Sequence, residues 1–193
     1  VIFENPNSVD YLGDSSFCNC LSLKQITLPS SIKKIQVHTF DGCKSLTQII
    51  IPSSIIEISV SSFINCTSLK KIIIPSSIET IGIYAFEGCS SLEEVIFENP
   101  SSLTKIEEYI FLKCSSLSKI SIPSSVNEID DHAFDGCTSL KQISIPASVT
   151  RVGFSIFKGC TSLSKITMPS SFNLKRLGID VETTNVEVEL ILK

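Results

Sequence analysis

The sequence predicts a β-rich solenoid: short, mostly parallel strands, little helix, and right-handed coils stacked on one another. Three observations predict it. The eight prolines, at positions 6, 29, 52, 75, 100, 123, 146 and 169, are spaced by 23 residues, with one step of 25. Phenylalanines at 17, 40, 63, 86, 111, 134 and 157 keep the same steps, and so do cysteines at 20, 43, 66, 89, 114, 137 and 160. A fixed period of this size outranks local propensity, because each repeat is one unit that buries its apolar side only against its neighbours.

The unit reads P-S-S-I-x-x-I-x-x-x-x-F-x-G-C-x-S-L-x-x-I-x-I, as in Pro75 to Phe97. Its last positions, L-x-x-I-x-I, alternate with period 2, as in a half-buried strand. Proline follows and ends the strand, since it cannot donate to a ladder. The stretch carrying Ile78, Ile81 and Phe86 is too short for a helix. It predicts a second extended piece and a tight turn, with one turn of 3₁₀ helix as an option. Gly or Asn precedes Cys at Asn19, Gly42, Asn65, Gly88, Gly136 and Gly159, which predicts a left-handed residue there; Lys113 departs from the rule. The predicted inner columns are Ile32, Ile55, Ile78, Leu103, Val126 and Val149, then Phe, Cys, and Leu46, Leu69, Leu92, Leu117, Leu140 and Leu163. One strand per coil implies a rise of roughly 4.8 Å.

The strings IPSSIETIGIYAFEGCSSL (74–92) and IPSSVNEIDDHAFDGCTSL (122–140) resemble the BspA-type (Treponema pallidum-like) leucine-rich repeat family. The resemblance covers about residues 1–171. It implies a non-enzymatic protein-interaction module on a cell surface, adhering to host or matrix proteins. Cys18, the 25-residue step and the last unit depart from the family pattern.

Two segments are expected. Residues 1–168 form the solenoid, with Glu98 and Asn99 as the insertion behind the long step. Residues 169–193 lack the A-F-x-G-C signature; there Val186, Val188 and Leu190 alternate with Glu187 and Glu189, which predicts a capping strand with one wet face. The chain opens on VIFENP, the string that recurs before Pro100, so its first residues read as the tail of a strand with no cap. That uncapped coil is a candidate for end-to-end self-association.

Composition narrows the classes. Among 193 residues, 42% are hydrophobic and 19% charged, which is not the make-up of a disordered chain. A net charge of −4 lacks the basic stripe that nucleic acid requires. No apolar run reaches membrane-spanning length, so no membrane insertion is expected. The cysteines, one per coil with parallel Cβ vectors, read as small buried hydrophobes rather than disulfides. Cys18 takes the place of an acidic or variable residue and is the one thiol expected outside the core. No metal or other cofactor is implied.

The search for chemistry finds no catalytic set. His38 and His132 lie four coils apart, roughly 19 Å at strand spacing. The serines belong to turns, where hydroxyls bond the local backbone. Asp130, Asp131 and Asp135 read as a solvated loop. Asn65-Cys66-Thr67 is a glycosylation sequon. What remains is surface. The outward strand positions Ile50, Ile73 and Ile96 form an apolar stripe. Beside it Lys70 and Lys71 face Glu93 and Glu94 across adjacent strands. Tyr84 and Tyr109 share a column on adjacent coils, an aromatic pair of the kind found at binding hot spots. These nine residues make up the candidate protein-binding face, with a protein partner of unknown identity. An intracellular scaffold that docks a regulatory protein, and a regulatory region of a larger enzyme, are the competing functions.

Overall fold

In the computed structural model, residue 3, residues 8–179 and residues 185–191 are described. The opening VIFENP string, apart from Phe3, and the free end read from it lie outside them.

Fourteen strands and no helix longer than a single turn appear among the described residues. Each coil contributes two strands. The L-x-x-I-x-I segments give β1 (Gln25–Thr27), β3 (Gln48–Ile50), β5 (Lys71–Ile74), β7 (Glu94–Phe97), β9 (Lys119–Ile120), β11 (Gln142–Ser144) and β13 (Lys165–Pro169). The I-x-x-I segments give two-residue strands: β2 (Lys34–Ile35), β4 (Glu57–Ile58), β6 (Thr80–Ile81), β8 (Lys105–Ile106), β10 (Glu128–Ile129) and β12 (Arg151–Val152). All pairs are parallel and coil follows coil in register; for example Ile72 pairs with Val95 and Ile129 with Val152. The expected second extended piece is therefore present and forms a sheet of its own. The last strand, β14 (Glu187–Ile191), adds in parallel to β13, with Val188 and Leu190 continuing the inward columns of Ile166 and Met168.

The arc between the two sheets is built by alternation. His38, Phe40 and Gly42 donate their N–H groups to Val60, Ser62 and Ile64 on the next coil. The intervening Thr39, Asp41 and Cys43 donate back three residues, to Gln36, His38 and Phe40. Each of these six backbone donors thus has a partner without helix or strand. Two residues per coil reverse φ to make this possible. The first is the predicted Gly/Asn site, where Lys113 also sits at φ 59°. The second escaped the sequence reading: Ser15, His38, Ser61, Tyr84, Tyr109, His132 and Ser155, all between 54° and 59°. Side chains there cost about 1–2 kcal/mol each relative to glycine. Gly82 answers a different need, since a Cβ there would lie 2.5 Å from the Val60 backbone nitrogen.

The core is a set of continuous columns. Phe17, Phe40, Phe63, Phe86, Phe111, Phe134 and Phe157 stack with ring centroids 5.2–5.7 Å apart. Cys43, Cys66, Cys89, Cys114 and Cys137 are fully buried beside them. All eight cysteines are free thiols. Each from Cys43 to Cys160 donates its S–H to the carbonyl of the Phe one coil earlier, as Cys89 does to Phe63 at 3.1 Å. Burial pushes the Cys43 and Cys160 thiols up to about 12. Cys18 is not the one accessible thiol: Cys20 and Cys160 are half-buried too, because their columns run out at the ends of the described stack. Maleimide labelling in native buffer is therefore expected to reach Cys18 and Cys20 readily, Cys160 only slowly because its raised thiol yields little thiolate, and the five central thiols only after denaturation. Native labelling of Cys89 or Cys114 would refute the closed column.

The turn serines also act differently from expectation. Ser77, Ser125 and Ser148 bond carbonyls of the preceding coil (Ile55, Leu103 and Val126), so they stitch coils together rather than bonding their own turn.

Candidate functional site

The outward face of the long-strand sheet carries the predicted stripe. Ile50 is 63% exposed and Ile73 46%, while Ile96 is half-buried. Strand alternation puts them there: their neighbours Ile49, Ile72 and Val95 fill the core. The ladder of this sheet is in three pieces, β1-β3, β5-β7-β9 and β11-β13-β14. A groove of about 720 Å³ opens at the seam between β3 and β5, lined by Ile50, Ile73, Lys70, Lys71 and Glu98 among others. A second groove, of about 580 Å³, lies over β7 and β9 and reaches Gln142 on β11. Glu98, from the two-residue insertion, lines both. Its backbone N–H donates to the Ile74 carbonyl and its carboxylate accepts from the Ser76 N–H. The inserted residues therefore form a fixed ridge between the grooves.

The flanking charges are brought together in part. Lys71 and Glu94 form a 2.8 Å ion pair across β5 and β7. Its hydrogen bond to Lys71 holds the Glu94 carboxyl below its ordinary value. Lys70 and Glu93 touch through backbone alone, Glu93 N–H to Lys70 carbonyl at 2.8 Å, and among the described residues neither side chain has an ion-pair partner.

Tyr84 and Tyr109 lie on the arc, away from that stripe. Their rings stack at 5.0 Å, and Tyr109 stacks equally on His132. His132 is thus the third rung of the ladder, not a remote member of the column. It also contacts Asp135 at 2.9 Å. Burial, then the nearby Glu108 carboxylate, raises the Tyr109 phenol above its ordinary value. The left-handed backbone beneath these rings recurs on every coil, so it belongs to the solenoid and does not mark a site.

Acidic residues that sequence alone left facing water are engaged. Lys105 on β8 bridges Glu107, Glu128 and Asp130, and Arg151 on β12 joins Glu128 and Asp130. Burial would lower the Lys105 pKa, but hydrogen bonds to Asp130 and Glu107 outweigh it and raise the value. Asp131 accepts the Phe154 N–H at 2.7 Å. Among the described residues no group of three His, Cys, Asp or Glu side chains could hold a metal ion. No helix of the described residues is long and apolar enough to cross a membrane. Asn65 of the sequon is exposed, in its left-handed turn.

A solenoid with parallel strands on each coil, open sheet faces and, among the described residues, no helix longer than a single turn defines a repeat protein, a class whose extended surfaces bind other proteins. The chain belongs to the BspA-type leucine-rich repeat family, whose model matches residues 2–101 and 97–179 in six copies. It is similar to the T. pallidum leucine-rich repeat protein TpLRR, with 35% identity and a TM-score of 0.74, covering 79% of this chain and 70% of that one. A leucine-rich cell surface protein from Faecalibacterium prausnitzii A2-165 shares 33% identity at a TM-score of 0.58, over 75% of this chain and 47% of that one. A leucine-rich repeat protein from Eubacterium ventriosum shares 26% at 0.60, over 78% and 45%. The chain thus spans less than half the length of the last two. No curated protein matches it.

Proposed function

We propose that this chain is a binding module that engages a protein partner through its long-strand face, in the setting of surface adhesion to host or matrix proteins. The observation that carries the reading is the apolar stripe of Ile50 and Ile73 at the mouth of a groove, flanked by charged columns. Exposed isoleucines on consecutive coils give a partner apolar area to bury, and the charges around them give specificity. The surface setting rests on the family and on the resemblance to the F. prausnitzii cell surface protein. A second reading, an intracellular scaffold, draws on the eight free thiols, which are typical of reducing compartments.

The test is binding of the chain to immobilised extracellular-matrix proteins. Ile50→Glu/Ile73→Glu is expected to weaken binding at least about tenfold, a loss of about 1.4 kcal/mol. Tyr84→Ala/Tyr109→Ala is expected to leave it unchanged. The reverse result would move the contact to the aromatic arc, and no binding by the wild-type chain would favour the scaffold.

A further inference from the structure

We propose that the long-strand face is self-complementary and that, when no other protein occupies it, a second copy of this chain packs on it about a two-fold axis parallel to the strands between β5 and β7. The inference rests on the long-strand face being the binding surface.

The argument is one of pattern. Adjacent coils carry Lys70 and Lys71 on β5 and its approach, and Glu93 and Glu94 on β7 and its approach. A two-fold axis along the strand direction keeps each column over itself and reverses the order of coils. It therefore sets Lys70 against Glu93 of the second copy and Lys71 against Glu94 of the second copy, each pair occurring twice. The same operation lays Ile73 on Ile96 of the second copy at the centre of the contact. A two-fold axis converts such a two-plus, two-minus block beside an apolar column into four opposite-charge contacts. Among the described residues Lys70 and Glu93 have no ion-pair partner, so both can make these contacts. Farther out Lys24 would meet Lys141, one like-charge pair per side at the screened rim, against four opposite-charge contacts at the centre. An apolar centre with a charged surround is the usual anatomy of a specific interface. Six coils, each presenting a stretch of about five residues at and beside its long strand, cover about 500 Å² per copy at strand spacing. That area places the pair among weak, salt-sensitive associations rather than obligate dimers.

Sedimentation velocity over two decades of protein concentration tests the proposal. The wild-type chain is expected to show a reversible monomer–dimer equilibrium that shifts to monomer at high salt. Lys70→Glu/Lys71→Glu and Glu93→Lys/Glu94→Lys, which reverse charges on exposed or half-exposed positions, are each expected to be monomeric. An equal mixture of the two variants should regain a dimer containing one of each, because every central contact is then again between opposite charges. That recovery also shows that both variants fold. A monomeric wild-type chain, a dimer indifferent to either variant, or a mixture that fails to pair would overturn the proposal. Loss of matrix-protein binding by Ile50→Glu/Ile73→Glu in a chain that never dimerises would overturn the dimer alone and leave the binding face standing. Matrix binding that ignores those substitutions would remove the face itself.

Discussion

Phe86→Ala is expected to destabilise the chain by about 3–5 kcal/mol, the range for emptying a buried Phe site. Phe86 is fully buried at the middle of the ring column, 5.3 Å from Phe63 and 5.6 Å from Phe111. Its main chain is held at both ends, because its N–H donates to Ile110 and its carbonyl accepts the thiol of Cys114. The coils cannot slide to close the void without breaking that ladder. In a domain worth about 5–15 kcal/mol, a loss of this size is a large share of the whole. Coils interact only with neighbours, so the cavity also weakens the coupling between the halves of the stack. Glu94→Ala is the contrast: it removes one exposed ion pair and should change stability by less than about 0.5 kcal/mol. Urea denaturation of both variants decides the matter, and equal shifts would refute the stacked column.

Phe86 was legible in the sequence because its role depends on spacing alone. The period that placed it also placed the Cys and Leu columns, the wet and dry positions of the long strands, and the turn at Gly88. Adjacent rungs followed too: Tyr84 on Tyr109, and Lys71 beside Glu94. The misses came from what periodicity does not encode. The second left-handed site is occupied by Ser, His and Tyr, residues that do not advertise positive φ. It arises because hydrogen bonds alternate between within-coil and between-coil partners, a property of the stacked arc and not of any residue. The turn serines were assigned to their own turns, but the nearest acceptor proved to be a carbonyl on the coil before. Cys20 and Cys160 have the same local sequence as their buried counterparts and differ in lying at the ends of the described stack. The grooves were hidden because one opens where the ladder divides and the other follows the two-residue insertion over β7 and β9, and Glu98 gives them a shared wall that only the inserted step could have hinted at.

The thiol column predicts a sharp loss of stability in mild alkali. In the folded chain five thiols are sealed, and burial holds them protonated: Cys43 up to about 12, with Cys89, Cys114 and Cys137 also raised and Cys66 raised by its Cys89 neighbour as well as by burial. In the unfolded chain the same thiols ionise near their ordinary value of 9.0. Between those values the unfolded state binds fewer protons than the folded one, so stability falls as pH rises. Each thiol then removes on the order of 1.4 kcal/mol per pH unit, and these five with the similarly raised Cys160 on the order of 8. A protein of ordinary stability is exhausted within about one to two units above the onset. Lys105 acts later. Its folded value is raised, so its contribution is intact below the ordinary lysine value of 10.5 and is lost only as pH climbs beyond it. Urea midpoints measured in reductant at steps from about pH 8 to about pH 10.5 should therefore be level at first and then drop steeply from near the thiol value. Cys114→Ala should be less stable at neutral pH yet shallower in alkali, since one titrating group is gone. A midpoint that stays level through that range would mean that water reaches the thiols in the folded chain, and the sealed column would have to be abandoned.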